Sequence, residues 1–388
     1  MNIKDTIRLH NVDALRGLAI ISIMLLHNLE HFDVYHLPKN LPIWMVQFDK
    51  IIWDGLFFLF AGKSYAIFAL LFGLTFQIQY DNQEKKGSSF NSIFAWRLIL
   101  LFGFGIINSA FFQGDILTLY AVFGFCLIPF SRVSNKLVFA VIIVLLLQPL
   151  EVLNLVQAIK NPNAVVSNPE SWAYFGKMNE YIKGDSFINT VYGNLTNGKI
   201  GVLRWSYENG RFFYIPALFL LGMLGGRKKV FSLTTKNKIF WKKALIISSI
   251  LFVPLFIFQK NIDTFIESKA IQQPVKVIES AWTNLVFMIV IVSGFTLLFH
   301  NKVFKKILNV LSPIGKMSLT CYIMQSVSGS IIYYGFGLGF YQFTGATYSL
   351  LIGLFLSVLM WSFSSWWMKH HRRGPLEALW HKVTWMFK

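Results

Sequence analysis

Apolar residues run along this chain in about ten blocks, at 14–29, 52–78, 93–112, 116–130, 137–156, 212–225, 240–258, 278–299, 311–334 and 348–368. About 20 apolar residues cover the ~30 Å hydrocarbon core of a bilayer as a helix. Lipid offers the backbone no water, so a spanning segment must close its own hydrogen bonds, which a helix does within itself. The blocks predict an all-α fold, a polytopic transmembrane helical bundle of about ten spans. Those at 116–130 and 212–225 are the weakest, being short.

The polar gaps set the direction. Lys4 and Arg8 precede the first block. Lys85, Lys86 and Arg97 fall in the second gap, Arg132 and Lys136 in the fourth. Arg227, Lys228, Lys229, Lys236, Lys238, Lys242 and Lys243 fill the sixth, and Lys302, Lys305 and Lys306 the eighth. Lys369, Arg372, Arg373, Lys382 and Lys388 follow the last block, whereas the gaps around Asp115 and at 335–347 carry no basic residue. Basic residues stay cytoplasmic, so this alternation predicts N-in and C-in, which an even span count requires. Residues 1–388 then form a single integral membrane domain. Within it, 157–211 is a long outer loop with Trp172, Tyr174, Phe175, Tyr181, Tyr192 and Trp205; loops of that length usually carry function. Residues 369–388 form a cytoplasmic C-terminal interfacial segment.

Composition agrees. The 388 residues are 55% hydrophobic and 14% charged, where a soluble domain carries about 25% charged residues. The net charge of +18 sits beside the spans, where it meets anionic headgroups. No nucleic-acid reader motif accompanies it, so the partner is the lipid bilayer and not nucleic acid. The two cysteines, Cys126 and Cys321, lie in apolar blocks and read as small buried residues. No metal-ligand spacing is present. The first block has no small-residue cleavage site and reads as a retained helix. No internal repeat is visible, and there is no phosphate-binding loop for ATP-driven transport. Oligomeric state is not legible.

The candidate chemistry begins in the first block. Arg16 and His27 are eleven residues apart, which on a helix places them within ~20° of one face and ~16 Å apart along the axis. His31 continues that face, Asn28 adjoins it, and Asp13 can pair with Arg16. Ionisable groups inside a span usually face a bundle interior or a water-filled cavity. Gly114-Asp115 opens the block at 116–130 from a gap without basic residues. Asp115 suits the N-cap of the following helix, or a carboxylate that fixes the tautomer of a nearby histidine base. Gly73 allows close helix packing. Ser318, Thr320, Tyr322 and Gln325 put polar groups into the ninth block, as interhelical glue or as cavity lining. Arg373-Gly374-Pro375-Leu376-Glu377 suits the start of a short helix, with Pro375 first and Glu377 near its N-terminus. Trp380, Trp385 and Phe387 would then dip into the headgroup zone.

The order of these motifs resembles the YeiB family of bacterial membrane proteins, domain of unknown function 418. The resemblance is carried by Asp13, Leu15, Arg16 and Gly17; Phe72 and Gly73; Gly114 to Leu117 with Tyr120 and Ala121; Gly222 with Arg227; Gly315, Ser318, Tyr322 and Gln325; and Arg373 to Glu377 with Leu379 and Trp380. It implies a multi-pass protein of the bacterial cytoplasmic (inner) membrane and, loosely, a link to transport. Residues 13–19 with His27 are also similar to the first helix of envelope-sugar acyltransferases, in which such an Arg and His serve acyl-CoA use. That similarity implies Arg16 as a donor-stabilising group and His27 as base or acyl relay, with Asp115 orienting it. Acyl-CoA would be the co-substrate and no cofactor would be tightly bound. The acceptor would be an envelope glycan or lipid, and Arg227, Lys228 and Lys229 would meet the CoA phosphates. Three readings stay open: acyl transfer to an outer-face acceptor, transport of a small solute or lipid along the same polar stripe, and a structural membrane component.

Overall fold

The computed structural model describes residues 9–31, 38, 41–87 and 89–386, apart from the side chain of His31. These residues form helices and connecting turns, with no strand among them. Helix α1 (His10–His31) is followed by α2 (Ile43–Phe60), α3 (Ser64–Glu84), α4 (Asn91–Phe111), α5 (Leu117–Gly124), α6 (Leu127–Phe130), α7 (Asn135–Leu146) and α8 (Pro149–Lys160). The segment expected as a long loop contains α9 (Glu170–Ile182), α10 (Phe187–Gly193) and α11 (Lys199–Glu208). Then come α12 (Arg211–Arg227), α13 (Thr235–Phe265), α14 (Lys269–Phe299), α15 (Lys302–Leu308), α16 (Ser312–Lys316), α17 (Ser318–Tyr333), α18 (Ala346–His370) and α19 (Pro375–Thr384).

Among the described residues, six helical stretches are long and apolar enough to cross a membrane: His10–Glu30, Ile43–Glu84, Asn91–Phe111, Thr235–Phe265, Lys269–Phe299 and Ala346–His370. Two bent pairs raise this to as many as eight, α7 with α8 at 42° and α15–α16 with α17 at 76°. The other two expected spans fall short in length. Pro129 has no N–H for a helical bond to Phe125, and the 116–130 block divides into α5 and α6. Helix α12 has 17 residues, roughly 26 Å. It is nevertheless central: Ile215, Ala217, Leu218, Phe219 and Met223 are all fully buried, as expected of a helix apolar on every side.

The block at 52–78 is interrupted. Gly62, at φ +79°, ends α2 beside the Asn284 side chain, where a Cβ would lie 2.6 Å from Asn284 Oδ1. Only glycine takes this conformation without strain. Close helix contacts also rest on glycine. A Cβ on Gly73 would lie 1.9 Å from the Phe219 carbonyl oxygen, and one on Gly222 1.9 Å from that of Leu70, so α3 and α12 meet backbone to backbone. Gly315 similarly lets α16 approach α1 at Asp13. The remaining helices surround this nucleus: α13 pairs with α14, and α1 contacts α16, α17 and α18.

Candidate functional site

A cavity of about 910 Å³ opens between α1, α3, α12, α14 and the segment containing α9 and α11. His27 on α1 forms part of its wall. The imidazole packs against Phe112 (ring centroids 4.5 Å apart) and against Tyr322 of α17 (6.0 Å). Tyr322 reaches across to accept a hydrogen bond on Oη from the Ile116 amide at 3.2 Å. Gly114 and Asp115 line the cavity beside it. Four of the residues singled out in sequence, His27, Gly114, Asp115 and Tyr322, are thus brought together.

Asp115 is an N-cap. Its carboxylate accepts from the amides of Leu117 (3.2 Å) and Thr118 (2.9 Å), from Asn108 Nδ2 (3.1 Å) and from Lys199 Nζ (3.3 Å). Lys199 also donates to Ser109 and Thr118 hydroxyls. Burial pulls the Lys199 ammonium below its ordinary range, and Asp115 opposes that shift. Four donors occupy the carboxylate, so orientation of His27 by Asp115 is not what its contacts serve.

Arg16 does not line the cavity. Its guanidinium bonds Asp13 (3.4 Å), the Gly315 carbonyl oxygen (3.4 Å) and Thr75 Oγ1 (3.0 Å), at the other end of α1. Between it and His27 the helix is packed shut: Ala19 and Ile20 are fully buried. The shared helix face is real, but 16 Å of rise separates two environments. Asp13 stays with Arg16. Asn28 is buried, accepts from Tyr333 Oη (2.9 Å) and donates to the Met24 carbonyl oxygen (2.8 Å). Gln325 is buried away from the cavity, and the side chain of His31 lies outside the described residues.

Ser318 begins α17 at a different site, the clasp made by α19. Glu377 accepts from the amides of Leu319 (2.7 Å) and Thr320 (3.1 Å) and from Thr320 Oγ1 (2.6 Å). The carboxylate therefore caps α17, the helix next door, while Pro375 opens α19 as its position suggested. Gly374 leaves room for that carboxylate. Arg373 offers its carbonyl oxygen to Trp367. The Trp380 indole lies 4.2 Å from the Arg97 guanidinium and donates to the Arg97 carbonyl oxygen.

Arg227 is likewise committed. Nε donates to Gln77 (3.2 Å), Nη1 to the Val133 carbonyl (2.7 Å) and Asn135 (2.9 Å), and Nη2 to the carbonyls of Phe130 and Ser131 (both 2.7 Å). A guanidinium has five N–H donors, and all five are used, on α3, on the end of α6 with the turn after it, and on the start of α7. None remains for a CoA phosphate. Lys228 and Lys229 are exposed beside it.

Several cavity residues were not anticipated. Arg211, opening α12, is stacked between Trp205 (3.9 Å to the ring centroid) and Tyr65 (4.3 Å). Lys63 sits in the break between α2 and α3, 5.5 Å from the Phe287 ring centroid. Glu30 and Glu279 bring opposite charge to the same wall, and Phe57, Phe60 and Ile262 supply an apolar side. Phe175 and Trp205 lie over the cavity from the outer-loop segment, which Lys199 fastens down.

Residues 225–387 match the family model described as protein of unknown function (DUF418). The chain is 27% identical to "Uncharacterized protein YxaH" of Bacillus subtilis (strain 168), over 98% of this chain and 94% of that protein. It is 23% identical to an "Uncharacterized 39.9 kDa protein in amylase 3'region" of Bacillus acidopullulyticus, over 97% and 94%. It is 25% identical to "Uncharacterized protein YeiB" of Escherichia coli (strain K12), over 96% and 95%. No solved structure matches this chain.

Proposed function

Because the chain belongs to the YeiB-like DUF418 family, and the names of these relatives carry no activity, we propose a function from the site itself. The protein takes an amphipathic envelope molecule into the 910 Å³ cavity and transfers an acyl group to it. His27 is the base. It takes the proton of the acceptor hydroxyl as that oxygen attacks the thioester carbonyl of an acyl-CoA; the thiolate leaves and receives the proton. The observation that carries this reading is the His27 imidazole in the wall of a cavity of ligand size, between apolar aromatic surface and the charged groups Lys63, Arg211, Glu30 and Glu279. Family membership and the apolar helices support a place in the bacterial cytoplasmic membrane. The alternating basic gaps support ten spans, N-in and C-in, with the short α5–α6 and α12 counted among them. In that orientation the cavity faces outward.

One observation favours a second reading, a carrier for the same class of molecule. The Arg16 end of α1 is packed shut, as in a protein open to one side at a time. Purified protein incubated with radiolabelled acetyl-CoA and an envelope lipid and glycan extract separates the two. Acyl transfer predicts label in an acceptor. A carrier predicts no labelled product, with net movement of an envelope molecule in proteoliposomes.

A further inference from the structure

The second cavity lies far along the bundle from His27, where α13 begins and α14 ends. It measures about 560 Å³ and is lined by Lys238 and Leu245 of α13, by Gly294 and Leu297 of α14, and by His300 and Asn301 in the turn to α15. Polarity changes along it in one direction. Lys238 precedes Leu245 by seven residues, roughly 10 Å, and His300 follows Gly294 by six, roughly 9 Å. The two helices pack together with these ends adjacent, so the groove is polar at its mouth and apolar about 10 Å deeper on both walls. That is the polarity profile of a phospholipid at the edge of a bilayer. The flanks suit it: Ile246, Ile247 and Leu298 are exposed apolar side chains.

Charge selects the headgroup. No acidic residue occurs at 209–262 or at 280–376, the stretches that build this groove. Nothing there would balance the ammonium of a choline or ethanolamine headgroup. Further lysines, including Lys242 and Lys305, extend the positive field. Gly294 leaves a notch for the chain, since a Cβ placed there would meet no atom within 4 Å.

We infer that the groove between α13 and α14 binds one phospholipid with a net negative headgroup, its phosphate at Lys238, His300 and Asn301 and an acyl chain over Leu245 and Gly294. Basic pockets between spanning helices hold anionic headgroups by the same physics.

The test uses full-length protein in neutral detergent, titrated with phosphatidylglycerol, phosphatidylcholine or glycerol 3-phosphate, with retained lipid read by native mass spectrometry. One phosphatidylglycerol should be retained, with phosphatidylcholine about five-fold weaker, the factor one lysine contributes near a membrane surface. Gly294→Phe puts a ring into the notch from a Cβ that itself meets no atom within 4 Å, so retention should be lost while the unfolding temperature without lipid is unchanged. Lys238→Gln should weaken retention about five-fold, and it decides the matter if the phenylalanine variant does not fold. Equal retention of the two phospholipids would overturn the inference. So would phosphatidylglycerol retention that survives in the folded variants, or its full displacement by equimolar glycerol 3-phosphate.

Discussion

Lys199 of the outer segment and Asp115 at the start of α5 form an ion pair at 3.3 Å, with the carboxylate fully buried and the ammonium nearly so. This contact ties the segment over the cavity to the bundle below it. Removing one partner of a buried pair leaves an uncompensated charge, which typically costs about 3–5 kcal/mol.

Lys199→Met should therefore destabilise the fold by about 3 kcal/mol, at the low end of that range, because three other donors still serve Asp115. Lys199→Met combined with Asp115→Asn should recover part of the loss. Thermal unfolding of the two single variants and the double variant in detergent measures the coupling. Strict additivity would show that the pair holds nothing together.

The clasp between α17 and α19 should depend on pH. Burial pushes the Glu377 carboxyl above its ordinary value of 4.5, against the hydrogen bonds from Thr320 and Leu319. The folded state then holds this proton more tightly than the unfolded one. Its contribution is complete below pH 4.5 and is lost as pH rises through the folded value. Glu377→Gln should flatten that slope while keeping an acceptor for both amides. Glu377→Ala should cost about 2–4 kcal/mol at pH 4, by leaving two amides unpaired, and less as pH rises. Unfolding temperatures from pH 4 to 8 test both.

Arg227→Lys should destabilise the protein by about 2–3 kcal/mol, since an ammonium cannot replace five planar donors on five acceptor residues. Once normalised for folded protein, its apparent KM for acyl-CoA should equal that of the wild type. A selective rise in KM would restore the arginine to the donor site.

Orientation is open to direct labelling. Thr235 and Glu180 are both exposed. In intact cells an impermeant maleimide should label Glu180→Cys, and should label Thr235→Cys only after the membrane is opened. Labelling of both from one side would dismiss the N-in, C-in arrangement.

Much of the helical plan was legible because hydrocarbon demands long uninterrupted apolar runs. The division of residues 52–78 at Gly62 was not, since Ala61 and Gly62 are apolar and the break depends on Asn284 far along the chain. The Gly114-Asp115 motif left both a cap and a histidine-orienting carboxylate open, and its contacts are those of a cap, a local property. The partner that completes it, Lys199, comes from 84 residues away and has no local signature. Helical periodicity placed Arg16 and His27 on one face, yet periodicity carries no information about packing along that face. The intervening residues proved to be a sealed core. Glu377 stood beside a helix start as expected, but the helix it caps is α17, a choice made by tertiary packing.

The central claim is that His27, and not Arg16, does the chemistry in the cavity. Acyl transfer from radiolabelled acetyl-CoA should be compared in His27→Asn and Arg16→Ala, each normalised to folded protein. Asparagine cannot take a proton as a base, so His27→Asn should lose at least about 100-fold in turnover. Arg16→Ala should lower the amount of folded protein, because the pair with Asp13 and the bonds to Gly315 and Thr75 disappear, while its normalised turnover stays within a few-fold of wild type. Full turnover in His27→Asn, with turnover abolished in folded Arg16→Ala, would contradict the account.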